Sequence, residues 1–310
     1  MKSNFKKFPG SKIELMVSLD QKEFLPYYQA AYDQAISQVH LKGFRPGTAP
    51  KELADRAINK EEVFGEAAKS AIRWGLDELT KDNEWTMIDT PRIEIEDSKD
   101  LGIKYKAELT IFPEIKLGNY KKIAHKITAQ RKEAKVEPKE VEQTLEWIRN
   151  SRKEGLPAGR QGDKIPELND EFAKSVGKFQ NVEELKKSVE NGLLMEKQMK
   201  ETDRLRLKML EEIIKDSEID LPEIMIRKTY ENMNAQLGPM FKASGKSEQE
   251  IKAQLEERAR NNVASNLIIH KIAQAEKLEP EPEEVAEKGD SQYNYGVAQQ
   301  NKVFAFLEKQ

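Results

Sequence analysis

Two stretches of this chain carry a two-residue hydrophobic period, and both lie in its first 115 residues. Ile13, Leu15, Val17 and Leu19 face one way, with Glu14 and Ser18 the other. Further on, Ile103, Tyr105, Ala107, Leu109 and Ile111 alternate with Lys104, Lys106, Glu108 and Thr110. That period marks a strand with one buried face. A weaker strand signal, WTMIDTPRIEIE, is interrupted by Pro91.

Helical periods lie between these strands. Asp20 and Glu23 have capping-box spacing, and Phe24, Tyr28, Ala31, Tyr32, Ala35, Ile36 and Val39 then repeat at 3.6 residues, predicting one helix that ends at Gly43. Pro50 suits the first turn of the next helix. Val63, Phe64, Ala67, Ala68, Ala71, Ile72, Leu76 and Leu79 define another. Residues 1–115 therefore read as an α+β domain, an antiparallel sheet packed on helices.

Beyond Lys116 the pattern fades into a polar connector up to Arg131, followed by a short helix from Pro138 with Val141, Leu145 and Ile148 inward. Lys153 to Leu168 is rich in Gly and Pro without periodicity, hence a loop. The rest is helical. Asn181 with Glu184 caps a long helix to about Asp216, Pro222 starts another to about Phe241, and Ser247 with Glu250 opens a third to about Lys277. A weak pattern ends the tail. The organisation expected is 1–115, a 116–163 connector with a short helix, and an all-α 164–310.

Charged residues make up 35% and apolar ones 37%, which suits several small cores with much surface. A net charge of −3 gives no global case for nucleic acid or an acidic membrane. The chain has no cysteine, which excludes disulfides, thiol catalysis and cysteine metal sites. With neither a signal peptide nor an apolar run of about 20 residues, the expectation is a soluble cytoplasmic protein.

Little catalytic chemistry is on offer. His40, His125 and His270 sit on separate elements without ligand spacing. There is no phosphate-binding loop and no nucleophile elbow. The reading is of a non-enzyme that needs no cofactor. Methionine is more informative: Met195, Met199, Met209, Met225, Met233 and Met240 are six of the nine. Such side chains either fill the core between long helices or line a surface that adapts to varied apolar partners. Met195, Met199, Met225, Met233, Met240 and Phe241 are the candidates for that surface.

The segment HLKGFRPGTAP, His40 to Pro50, places two glycines and two prolines among eight residues, around Phe44 and Arg45. It is either a plain helix–helix turn with Phe44 folded beneath it, or a docking tip. Pro46 and Pro50 restrict the backbone and reduce the entropy lost on binding. Phe44 offers an aromatic anchor, and Arg45 a fork for phosphate or carboxylate.

This loop resembles that of the trigger factor family of ribosome-associated chaperones, whose docking pattern is G-F-R-x-G-x-x-P. Gly43, Phe44, Arg45, Pro46, Gly47, Thr48, Ala49 and Pro50 match it. Lys164 to Leu193 and Ser217 to Met233 are similar to parts of the family's helical C-terminal domain. Two departures stand out. The family usually carries a peptidyl-prolyl isomerase (FKBP-like) domain, and Lys153 to Pro166 is too short to be one. Its loop also commonly carries a lysine near the second glycine, where Thr48 stands here, so phosphate attraction should be weaker.

The resemblance implies a ribosome-binding domain followed by an elongated helical-arm body. It implies docking on the large ribosomal subunit near the exit tunnel, on protein and rRNA. Phe44 would enter an apolar contact and Arg45 would pair with a carboxylate or phosphate, while Gly43 and Gly47 permit the turn and Pro50 fixes its exit. The helical arms would shelter nascent or unfolded polypeptides without ATP, and a homodimer when free is allowed. The alternatives are a non-ribosomal helical holdase or scaffold and, without its domain, a prolyl isomerase.

Overall fold

A four-stranded antiparallel sheet organises the N-terminal part of the computed structural model, which describes residues 1–44, 48–97, 102–151, 165–243, 245, 247–285 and 291–310. Its strands are β1 (Lys2–Phe8), β2 (Lys12–Leu19), β3 (Arg92–Asp97) and β4 (Ile103–Thr110), in the order β1-β2-β4-β3. The register sets Ile13 opposite Leu109, Leu15 opposite Ala107 and Val17 opposite Tyr105, so the alternating apolar residues share one face. The helices α1 (Gln21–Gln38) and α3 (Lys60–Asp82) cover it with Phe24, Ala67, Ala68, Ala71, Ile72 and Leu76. Leu15 and Ala107 are fully buried; a side chain of leucine size gains roughly 1.5–3 kcal/mol from such burial. The other face is mainly polar, with Lys106 pairing Glu14 at 2.8 Å, and leaves Met16 and Phe8 exposed.

β1 carries no alternation, and its seven residues are all exposed. It is specified by its ladder to β2 and by Phe5, whose ring meets Trp85 edge-on at 4.8 Å. Lys2, Lys6 and Lys7 on this edge strand discourage further pairing. The turn into β2 places Gly10 and Ser11 at φ +80° and +54°. Their two N–H groups donate to the Asp220 carboxylate at 2.7 and 2.6 Å, and Ser11 Oγ donates to the Asp220 carbonyl at 2.8 Å. Beside this clip, β5 (Ile115–Lys116) pairs antiparallel with β6 (Glu218–Ile219).

These bonds explain why the chain does not divide in sequence order. One unit is Met1–Lys116 with Glu218–Leu267, and the other is Leu117–Ser217 with Ile268–Gln310. The first also holds α2 (Lys51–Ala57) and α8 (Glu223–Ala243). The boundary passes within α9 (Glu248–Glu276), whose start is capped reciprocally by Ser247 and Glu250.

The second unit contains α4 (Tyr120–Thr128), α5 (Pro138–Ser151), α6 (Asp170–Val176), α7 (Val182–Asp216), α10 (Pro282–Val285) and α11 (Ser291–Leu307). The 35-residue α7 starts at Asn181, whose side chain accepts from Glu184 N. A small core forms where α5, α6 and α7 bring Leu145, Phe172, Ala173 and Leu185 together, as the inward spacing on α5 predicts. No helix among the described residues is long and apolar enough to cross a membrane.

Three expectations change. The first helix stops at Gln38 rather than Gly43, because Val39 turns extended (φ −63°, ψ 132°) while its N–H still closes on Ala35 O. The expected connector contains α4, capped by Asn119 and burying Ala124 and Ile127, a signal diluted by its lysines. The tail's weak pattern is α11, which buries Val303, Phe304 and Leu307.

Candidate functional site

The loop after α1 is built from its two ends. Phe44 N donates to Leu41 O at 3.1 Å, and Gly43 sits at φ +91° with nothing within 4 Å of where a Cβ would stand. Glycine is therefore required there for conformation, not for space. Phe44 follows directly and is 42% exposed. Arg45, Pro46 and Gly47 lie outside the described residues. Pro50 stands one position earlier than expected, as the N-cap of α2, with its carbonyl accepting from Leu53 N and Ala54 N at 3.0 and 3.1 Å.

The short α2 needs bracing, since seven residues make a marginal helix alone. Tyr32 Oη on α1 donates to Asp55 Oδ1 at 2.9 Å, and Lys60 Nζ approaches Asp55 Oδ2 at 3.5 Å. The ammonium of Lys51 lies over the Tyr32 ring, 5.8 Å from its centroid. The bond from Tyr32 holds the Asp55 carboxyl below its ordinary value, and the same bond raises the Tyr32 phenol.

Of the candidate methionines, the structure brings Met195 and Met199 together. They stand one turn apart on α7, 64% and 66% exposed, and line a cleft of about 960 Å³. Its other wall is the segment Arg131 to Ala134. Lys132 N donates to Glu201 Oε1 at 2.8 Å, and Lys197 Nζ donates to Lys135 O at 2.7 Å, which holds that segment along α7. The Glu201 carboxyl, gripped by Arg204 and by the Lys132 amide, is held down to about 2. At neutral pH this clamp is fully charged.

Met225, Met233, Met240 and Phe241 belong to α8 in the other unit. The three methionines fall within about 80° of arc at 100° per residue. Met240 is 62% exposed, the others are partly buried, and the guanidinium of Arg258 lies 5.4 Å from the Phe241 ring centroid. Met209 is fully buried and serves the core. Of the exposed apolar side chains outside the candidate set, Trp147 on α5 and Leu207 on α7 are the most open among the described residues, at 70% and 62%. Trp147 was detectable, being out of phase with the inward set Val141, Leu145 and Ile148.

Among the described residues, no charged side chain is buried and no group of His, Asp or Glu could hold a metal. The arrangement offers apolar surface and exposed anchors rather than a proton-transfer pair.

The family model "Bacterial trigger factor protein (TF)" matches residues 1–148, and the model of its C-terminus matches residues 181–310. The trigger factor of Clostridium kluyveri is 23% identical over 93% of this chain and 89% of its own length. That of Clostridioides difficile is 24% identical over 96% and 92%. A solved structure concerned with promiscuous substrate recognition in folding and assembly by the trigger factor chaperone covers both chains fully, with a TM-score of 0.62 at 17% identity. The alignment with the Clostridium kluyveri relative extends over 381 residues, against 310 in this chain, so that relative carries residues without a counterpart here. Residues 149–180 fall between the two family matches.

Proposed function

This chain belongs to the trigger factor family of chaperones, and we propose that it docks near the ribosomal exit tunnel through residues 43–50 and shelters apolar segments of emerging polypeptides in the cytoplasm. The observation that carries this reading is Phe44, an exposed aromatic directly after a left-handed glycine, in a loop strung between α1 and a braced α2. A buried Phe44 would have left only a turn. Phe44 enters an apolar contact on the subunit and Arg45 pairs with a carboxylate or phosphate. Pro50 sets the exit into α2, and Gly43 with Gly47 supplies the turn.

Clients are held by weak apolar contacts. Met195 and Met199 supply one such surface on α7, and Met240, with Met225, Met233 and Phe241 beside it, a second on α8. Flexible, polarizable methionines fit varied side chains without a fixed pocket, which suits fast release without ATP. Prolyl isomerisation is not part of this function, since the stretch outside both family matches is too short for a domain of that kind.

The test is co-sedimentation with 70S ribosomes over a salt series, comparing the intact chain with Phe44→Ala/Arg45→Ala. Binding that weakens with salt and disappears in the double variant is expected. Undiminished binding by that variant overturns the loop assignment. Absence of binding by the intact chain at low salt leaves a free holdase.

A further inference from the structure

The segment from Lys132 to Glu137, KEAKVE, has the period of a strand but no strand beside it. Ala134 and Val136 are half-buried, while Glu133, Lys135 and Glu137 are exposed. Glu133 and Lys135 pair with each other at 3.0 Å, as side chains two apart on one face of an extended chain do. Both ends are tied, Lys132 N donating to Glu201 and Glu137 N to Glu140, each at 2.8 Å. Between those ties the N–H groups of Glu133, Ala134, Lys135 and Val136 donate to nothing among the described residues. Of the carbonyls from Lys132 to Val136, only that of Lys135 accepts, from Lys197. Such a row of unpaired donors and acceptors is a template for another strand. It borders the cleft of about 960 Å³ whose other wall carries Met195 and Met199.

We propose that this segment is a strand without its partner, and that a client polypeptide enters the cleft extended and pairs with it backbone to backbone. The client's alternate side chains then lie on Met195 and Met199. Resting on methionines alone, a client would leave its own N–H and C=O groups desolvated and unpaired, which is costly. Strand addition satisfies those groups without reading a sequence. Charge points the same way. The described lining carries three cations, Arg131, Lys132 and Arg206, against three carboxylates, Glu133, Glu201 and Asp203. Of these, Glu133, Glu201 and Arg206 are already paired, with Lys135, Arg204 and Glu308. A wall that is neutral and largely matched within itself fits an uncharged stretch of chain rather than a basic or acidic one. Its volume lies at the upper end of the range for ligand pockets, roughly 300–1,000 Å³, which suits a short segment. This pairing deepens the client reading above and rests on it.

The full chain serves for the test. Because it has no cysteine, Gln198→Cys on the cleft wall takes a single environment-sensitive dye, which reports entry of a short, unstructured apolar peptide. Proline keeps an extended φ but lacks the N–H, so Glu133→Pro, Ala134→Pro, Lys135→Pro and Val136→Pro each delete one donor. Neighbouring residues of a strand present these groups to opposite edges. Prolines at one alternate pair, 133 with 135 or 134 with 136, are therefore expected to weaken peptide binding about two- to tenfold each. Those at the other pair should leave it unchanged, with thermal melts verifying that all four fold. Glu133→Ala and Lys135→Ala keep every N–H and should bind as the intact chain does. Equal binding by all four proline variants overturns the pairing, and so does equal loss in all four. If Met195→Ser/Met199→Ser weakens binding in either case, the cleft still takes clients and only the pairing fails. Peptide binding that this double methionine variant leaves unchanged removes the client surface on α7, and the pairing with it.

Discussion

Tyr32 Oη donates to Asp55 Oδ1 at 2.9 Å, and this bond ties the helix before residues 43–50 to the helix after them. With Lys60 on the far oxygen and Lys51 over the phenol ring, it sets the spacing of the two loop ends. Tyr32→Phe and Asp55→Asn should each weaken ribosome binding a few-fold and leave aggregation suppression unchanged, as sedimentation and a light-scattering assay would show. The pH dependence has a definite sign. Asp55 titrates below its ordinary value of 3.8 when folded, so the brace is fully present above that value and is lost as pH falls through the lower folded one. Asp55→Asn should remove this acid-limb sensitivity from α2, read by the chemical shifts of its amides.

Gly43→Ala tests the loop backbone separately from its side chains. At φ +91° an added Cβ costs about 1–2 kcal/mol although nothing crowds it. The strain should re-aim Phe44 rather than unfold the protein. Lower ribosome affinity with a melting temperature only a few degrees lower is the expected result, and unchanged affinity would show that the backbone conformation does not matter.

The methionines of α7 should separate by role. Met195→Ser with Met199→Ser touches exposed side chains and should cost no more than about 0.5 kcal/mol each, while reducing aggregation suppression. Met209→Ala removes a fully buried side chain and should destabilise by about 2–5 kcal/mol in urea unfolding. Equal effects of the two changes would contradict the division.

Tyr105 offers a test of the sheet–helix core. Its hydroxyl is buried without a hydrogen-bond partner among the described residues, and burial alone pushes its pKa upward. Tyr105→Phe removes an unsatisfied group and should raise stability by about 1 kcal/mol. Gly75→Ala places a Cβ 2.6 Å from that hydroxyl oxygen and should destabilise. Combined with Tyr105→Phe, the severe clash goes, since the next ring atom is 3.9 Å away, and the remaining close approach is to Met1 Sδ at 3.2 Å, so the double variant should be more stable than Gly75→Ala alone. Denaturant midpoints of the three variants decide the matter.

What the amino-acid order determined by itself was whatever a single element records about its own surroundings. Alternation in β2 and β4 announces one buried face, the 3.6-residue stripes of α1 and α3 announce theirs, and Asp20, Asn181 and Ser247 announce helix starts, because capping bonds reach only three residues. The left-handed turn at Gly43 and the helix start after Pro50 are local in the same way, each set by the residue that stands there. Tertiary structure decided the rest. β1 exists because β2 offers it a ladder, and an exposed edge strand needs no pattern of its own. Residues 218–267 join the N-terminal unit because the hairpin turn at Gly10 and Ser11 grips Asp220, a bond between positions some 210 residues apart that no local pattern encodes. Exposure divided the methionines in the same way: helical spacing tells which face of α7 is apolar, but only the neighbours that cover Met209 and leave Met195 and Met199 open decide which of them can meet a client.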